Sequence, residues 1–299
     1  MFATVGLLLV LGLTYYISNS YASSNGVNNP ITNLIIKRKQ QIIKSNLTSY
    51  LNSVTKDGTA SVSFYNLGAA DGSNTDGKTA KLYGKGSLQV EANAQAVNTS
   101  ASTYKLYIAA YLMQQKQNGN FSWTDENLDG FTKMIVNSAN EFSEAQIDKY
   151  GADELSSFVK SQGWYSPVFQ TGKTAQTTSY SLQLLLEDLA EGTGPFKNKS
   201  DQAKILQMMG QQVYRTGIPA GVEAANSGTT VQDKVGFLDD TNNDAAIVTM
   251  PNGQRYILVI MTNGHKQSNF SGFPRIAEIA KNVQKIVYGS DAGTKKVSY

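Results

Sequence analysis

Residues 98–117 limit what this chain can fold into more than any other stretch. A polar run, Asn98-Thr99-Ser100-Ala101-Ser102-Thr103, leads into Leu106, Ile108, Ala109, Ala110, Leu112 and Met113. At 3.6 residues per turn these apolar positions cannot share one stripe. The segment therefore predicts a helix enclosed by protein on most sides, the central helix of its domain. Gln114 to Gln117 make its end polar, and Asn118-Gly119 supplies a left-handed stop. Ser102 stands at its start, and Lys105, three residues on, projects from the same face. A hydroxyl beside a buried amine is a nucleophile with a base in reach, and the free N–H groups of a helix N-terminus favour developing negative charge. Ser-x-x-Lys alone is a weak signal, because it recurs at Ser53/Lys56 and Ser157/Lys160. In isolation Ser102 reads first as a helix cap and Lys105 as a snorkelling surface lysine.

The rest of the composition narrows the chemistry. The 299 residues are enough for a substantial core in one large domain or two intertwined ones. A net charge of +3, with lysines scattered rather than striped, implies no nucleic-acid partner. There is no cysteine, which excludes disulfides and thiolate metal sites, and no cofactor is implied. The single histidine, His265, follows Asn263-Gly264 and reads as an exposed turn residue. A Ser-His-Asp triad is disfavoured, so a hydrolase built from this chain needs lysine as its base.

The N-terminus reads as a targeting segment. Phe2 to Ile17 is nearly all apolar and is followed by a Ser/Asn-rich stretch to Pro30. Residues 1–22 are expected to be a signal peptide or membrane anchor and 23–40 a linker. The protein is then exported and extracellular, secreted or held at the membrane through this segment. Lys37-Arg38-Lys39 follows the run and no basic residue precedes it, the reverse of the positive-inside preference.

Further along, Ile42 to Val54 has helical spacing, Ala60 to Leu67 alternates like a strand, and Gly68 to Gly77 is a loop. Lys81 to Ala92 carries a second strand signal, with its partners expected far away in sequence. Helices are predicted from Asp125 to Val136 with Thr124 as cap, from Ala152 to Gln162, from Ser179 to Glu191 and from Lys199 to Val213. Trp164 to Thr178 is an irregular loop. From Val231 the pattern returns to strands, with a hairpin at Pro251-Asn252-Gly253, and Pro274 to Tyr288 closes as a helix. Strands at both ends and helices between predict an α+β fold, an α/β sandwich. An antiparallel sheet from both chain ends is flanked by helices and carries an inserted all-helical lobe. The expected domain is 41–295, with an α/β lobe of 41–100 and 225–295 and a helical lobe of 101–224. Ser102 then lies between the lobes, a favoured position for a site.

Two more short patterns join the first. Ser138-Ala139-Asn140 precedes Glu141, a spacing that also fits a capping box. Lys234-Val235-Gly236 stands ahead of the hairpin, where a strand start with a solvated lysine is the plain alternative. In chain order these are Ser-x-x-Lys, Ser-x-Asn and Lys-x-Gly. That order resembles the penicillin-recognising serine hydrolases, and the details look most like class A β-lactamases. Tyr150 to Leu155, Thr177-Thr178 with Leu182 to Gly192, Arg215-Thr216-Gly217-Ile218-Pro219-Ala220-Gly221 and Asn243 to Val248 extend the likeness over most of the chain from about residue 45.

The resemblance implies roles residue by residue. Ser102 would attack an amide carbonyl of a β-lactam or a peptidoglycan-type D-alanyl peptide and become acylated. Lys105 would take its proton, kept neutral by desolvation and the charge of Lys234. Ser138 would pass the proton to the leaving nitrogen, with Lys234 holding it. Asn140 would bind the substrate's side-chain amide, and the backbone N–H groups of Ser102 and Phe237 would form an oxyanion hole beside Gly236. The chain also departs from the pattern. Ala139 replaces an aspartate, Val235 replaces a hydroxyl residue expected to bind the substrate carboxylate, and the loop from Trp164 to Thr178 holds no Glu or Asp. β-Lactamases of this class activate the deacylating water with a glutamate in that loop. Acylation with slow turnover is thus the implied activity, as in a penicillin-binding protein. The alternative is a catalytically degenerate member that binds cell-wall peptide or a protein partner.

Overall fold

The structure, a computed structural model, describes residues 29–299. The apolar run from Phe2 to Ile17, read as a signal peptide or anchor, lies outside the described residues. Among those described, no helix is long and apolar enough to cross a membrane.

The fold is α+β, as the pattern of strands and helices predicts. Helix α1 (Pro30–Thr55) starts at Asn29, whose side chain accepts from the N–H of Ile31, so residues 30–40 of the expected linker are helical. Strand β1 (Ala60–Ala69) follows, then helix α2 (Gly77–Leu82) and the short strand β2 (Val90–Ala92). After them come β3 (Asn98–Thr99), a 3₁₀ helix (Ala101–Tyr104) and the central helix α3 (Lys105–Gln117). The helical lobe holds α4 (Asp125–Val136), α5 (Glu141–Tyr150), α6 (Ala152–Ser161), the two-residue strand β4 (Gln176–Thr177), α7 (Ser179–Glu191) and α8 (Lys199–Gly210). Helix α9 (Ile218–Ala225) leads into β5 (Thr230–Leu238), β6 (Thr241–Thr249) and β7 (Gln254–Thr262), and α10 (Phe273–Tyr288) closes the fold.

One antiparallel sheet has the order β2-β1-β7-β6-β5, so the N-terminal strand β1 lies against the last strand, β7. Both faces of the sheet are covered, which explains why β7 reads as a nearly unbroken apolar run. Ile257, Val259 and Met261 face the helical lobe. Tyr256, Leu258 and Ile260 alternate with them and face α1 and α10. The central helix meets its expectation: every residue from Lys105 to Met113 is buried.

Some elements differ from the reading of the sequence. Lys81 to Ala92 is not one strand, because Asp76 accepts from the N–H groups of Lys78 and Thr79 and starts α2 instead. Only Val90–Ala92 is extended, and it pairs with β1, the strand just before it, with Val62 opposite Ala92 and Phe64 opposite Val90. Helix α8 stops at Gly210 rather than Val213, where Gln212 Nε2 and Val213 N–H turn to the carbonyls of Ile135 and Val136. Helix α5 was hidden because its buried residues are Ser143 and Gln146, which give no apolar stripe. The Ile218-Pro219-Ala220-Gly221 stretch is the first turn of α9, with Pro219 where a helix tolerates it.

Helices α9 and α10 approach so closely that a Cβ at Gly221 would lie 2.1 Å from the carbonyl oxygen of Ala277. Gly221→Ala is therefore expected to lose about 1–3 kcal/mol of stability by overpacking. Urea unfolding of the variant beside the wild type measures it.

Candidate active site

Ser102 sits on a corner held from three sides. The Thr103 hydroxyl and N–H both donate to the Ser100 carbonyl, at 2.6 and 3.2 Å, which tightens the chain into the 3₁₀ turn. The N–H of Ser100 donates to Ala175 O at 2.8 Å, tying the turn to the 164–178 loop. From β6, Asn243 Nδ2 donates to the carbonyls of Thr99 and Ser100 at 2.9 and 3.0 Å. Strand β5 presses against the same turn at Gly236, where a Cβ would stand 2.9 Å from Ser100 O, Ser102 N and Thr103 N. Only glycine admits that approach. Ala101, just before the serine, has φ +44°, an uncommon value for a residue with a side chain. Ser102 is not a helix cap: its hydroxyl accepts a hydrogen bond from Lys105 Nζ at 3.0 Å.

Lys105 gathers the motifs. Its Nζ also donates to the Ser138 carbonyl at 2.6 Å and to Asn140 Oδ1 at 2.7 Å. Asn140 begins α5 but its side chain caps nothing, since Lys105 engages it, and the Ser138/Glu141 capping box does not form. Ser138 has φ +59°, which aims its carbonyl at Lys105 while its hydroxyl accepts from Lys234 Nζ at 2.7 Å. Lys234 Nζ donates in addition to Val235 O at 2.9 Å. Both lysines are fully buried. Burial pushes the Lys105 amine down to about 8, with Glu144 and Glu141 opposing. Burial, then the charge of Lys105, holds Lys234 well below the usual lysine range.

The structure brings Ser102, Lys105, Ser138, Asn140 and Lys234 into one hydrogen-bonded chain, with Gly236 against its floor. Val235 supplies its carbonyl only; its side chain is buried in the outer core with Ile218 and Val222. The half-buried Phe237 ring packs against Tyr214 and Phe270, with centroids 5.5 and 4.4 Å away. His265 lies elsewhere, half exposed and 2.6 Å from Asp57.

A sequence profile of the beta-lactamase enzyme family matches residues 126–288, more than half of the chain. The chain belongs to that family. No curated protein sequence matches it. Solved structures align over most of its length. PBP-A, in a single-residue variant as its acyl-enzyme complex with penicillin G, is 22% identical, covers 81% of this chain and 95% of its own, and superposes with a TM-score of 0.63. A class A beta-lactamase from Bacteroides cellulosilyticus is 17% identical, with 83% and 99% covered and a TM-score of 0.63. A beta-lactamase from Sphaerobacter thermophilus is 16% identical, with 81% and 96% covered and a TM-score of 0.63. At these identities the likeness is one of fold.

The reading of the sequence missed the support beneath this site. Asp233, beside Lys234 but on the other face of β5, pairs with Arg215 Nη1, and Arg215 Nη2 donates to Val231 O at 3.1 Å. Asp244 Oδ2 accepts from the N–H of Ile218 at 2.8 Å. Among the described residues nothing donates a hydrogen bond to Asp233 Oδ2 or Asp244 Oδ1. Asp244 stands opposite Val235, diagonal to Asp233. Burial pushes the Asp244 carboxyl up to about 7. Burial, then the charge of Asp244, raises Asp233 against the pull of Arg215 and Lys234. The spacing was on view in the sequence, but only the strand register shows that the two acids share a face.

These raised carboxyls carry a sign. Between about pH 4 and pH 7 the folded protein keeps a proton that the unfolded chain releases, so this pair makes stability fall as pH rises through that window. Asp244→Asn is expected to flatten the fall, measured as unfolding free energy against pH. An unchanged slope would show that the pair does not hold the proton.

Proposed function

We propose that this chain is an active-site serine hydrolase that acylates Ser102 with β-lactams or D-alanyl peptide amides and releases the acyl group slowly. The observation that carries the reading is the 3.0 Å hydrogen bond between Lys105 Nζ and Ser102 Oγ, made by an amine whose burial brings its neutral form within reach near pH 8. Lys105 takes the Ser102 proton as Oγ attacks the amide carbonyl. The backbone N–H groups of Ser102 and Phe237 face the developing oxyanion. Ser138, held by Lys234, hands a proton to the departing nitrogen. Asn140 and the rim at Phe237 bind the substrate, and the Val235 side chain, turned to the outer core, takes no part in holding it. The loop from Trp164 to Thr178 contributes no carboxylate for water, so the acyl-enzyme persists. Export by the N-terminal segment puts this chemistry outside the cytoplasm, where cell-wall peptides are found.

Intact-protein mass after mixing with benzylpenicillin tests the reading. The wild type is expected to gain one penicillin and keep it over many minutes, and Ser102→Ala to gain nothing. Lys105→Ala should slow acylation by on the order of 10²–10⁴-fold. Fast hydrolysis without an accumulating adduct would contradict slow release. No adduct at all would favour a protein that binds cell-wall peptide or a partner and keeps the site without using it.

A further inference from the structure

The loop that would carry a water-activating glutamate has none, yet a carboxylate borders the same space from another element. An open cleft of about 540 Å³ lies between α5 and the loop, lined by Tyr104, Glu144, Asp148 and the stretch Phe169–Ala175. Tyr104 lies between Ser102 and Lys105 in sequence, and its hydroxyl is 3.0 Å from Ser143 Oγ on α5. Glu144 comes one helical turn after Asn140, and its N–H donates to the Asn140 carbonyl at 2.9 Å. Residues four apart on a helix share a face. Asn140 reaches Lys105 at 2.7 Å, and Glu144 stands one turn further along the same helix, lining the cleft beside Tyr104. The Glu144 side chain is exposed, and no hydrogen bond from the described residues occupies it. Its charge is the strongest of those favouring the protonated form of Lys105.

We infer that Glu144 of α5 is the catalytic base for water in place of a loop carboxylate, and that the slow release of the Ser102 acyl group runs through it. The inference rests on acylation of Ser102 as proposed above. In the step, a water in the cleft gives a proton to the Glu144 carboxylate while its oxygen bonds to the ester carbonyl carbon. The tetrahedral intermediate then breaks its bond to Ser102 Oγ, and the proton returns to that oxygen. The products are the free acid and the original serine. A solvent-facing carboxylate with no hydrogen bond from the described residues to aim it is less well placed than one fixed by a loop, which agrees with slow rather than absent turnover.

The test separates formation of the adduct from its loss in the full-length protein. Wild type, Glu144→Gln and Asp148→Asn are each loaded with benzylpenicillin and freed of excess, and the decay of the adduct is followed by intact mass in buffer and in buffer with hydroxylamine. Hydroxylamine attacks esters without a general base. Glu144→Gln is expected to acylate within about threefold of wild type, to lose its adduct to water at least tenfold more slowly, and to lose it to hydroxylamine at the wild-type rate. Asp148→Asn, a turn further along the cleft, is expected to match wild type. Release from Glu144→Gln at the wild-type rate in water overturns the inference. Equal slowing with water and hydroxylamine overturns it too, because it would mean a blocked ester. A wild type that forms no adduct overturns the acylation reading beneath it, a result distinct from an adduct whose release ignores Glu144.

Discussion

Two lysine amines buried on either side of one serine hold this site together. Placing two positive charges in a protein interior is unfavourable unless each is hydrogen-bonded or neutralised. Here Lys105 has three acceptors, on Ser102, Ser138 and Asn140, and Lys234 has two, on Ser138 and Val235. Those acceptors come from the central helix turn, the start of α5 and β5, so satisfying the amines docks the helical lobe to the sheet. The same desolvation makes the Lys105 proton easy to lose. Stability and chemistry therefore draw on one constraint.

The surroundings keep that arrangement from relaxing. Tyr107, buried on α3, bonds Thr177 and Ser181 at 2.6 and 2.7 Å and anchors the end of the 164–178 loop. Ser156 bonds both the N–H and the carbonyl of Phe169, fixing the loop's middle. On the far side Arg215, Asp233 and Asp244 brace β5 behind Lys234. Ala101 and Ser138 keep left-handed backbone conformations that cost on the order of 1–3 kcal/mol each, strain that neighbouring contacts sustain.

Much of this was legible before the structure. The residues around Leu106 to Met113 announced an enclosed helix because no single face could hold them, and strands at both chain ends implied the shared sheet. The Ser-x-x-Lys, Ser-x-Asn and Lys-x-Gly patterns named five side chains that the fold brings into one chain of hydrogen bonds. What stayed hidden has physical causes. Helix α5 buries polar residues and lacks an apolar period. The strand read over Lys81 to Ala92 shrinks to the three residues of β2, because the cap at Asp76 makes its first part the end of α2. Val235 was read as part of the substrate wall, but the strand's own alternation turns it to the outer core. Asp233 and Asp244 became partners only through the register of β5 and β6. Glu144 had no signal beyond its distance from Asn140, and that distance gains meaning only once Asn140 is seen to face Lys105.

The central claim is that burial makes Lys105 a base. Its most direct test needs no substrate: the Lys105 side-chain resonance is followed against pH in protein labelled at lysine with ¹³C, and assigned with Lys105→Ala. The account predicts titration near 8, far below an exposed lysine. A Lys105 amine that titrates at the ordinary lysine value of about 10.4 would contradict it.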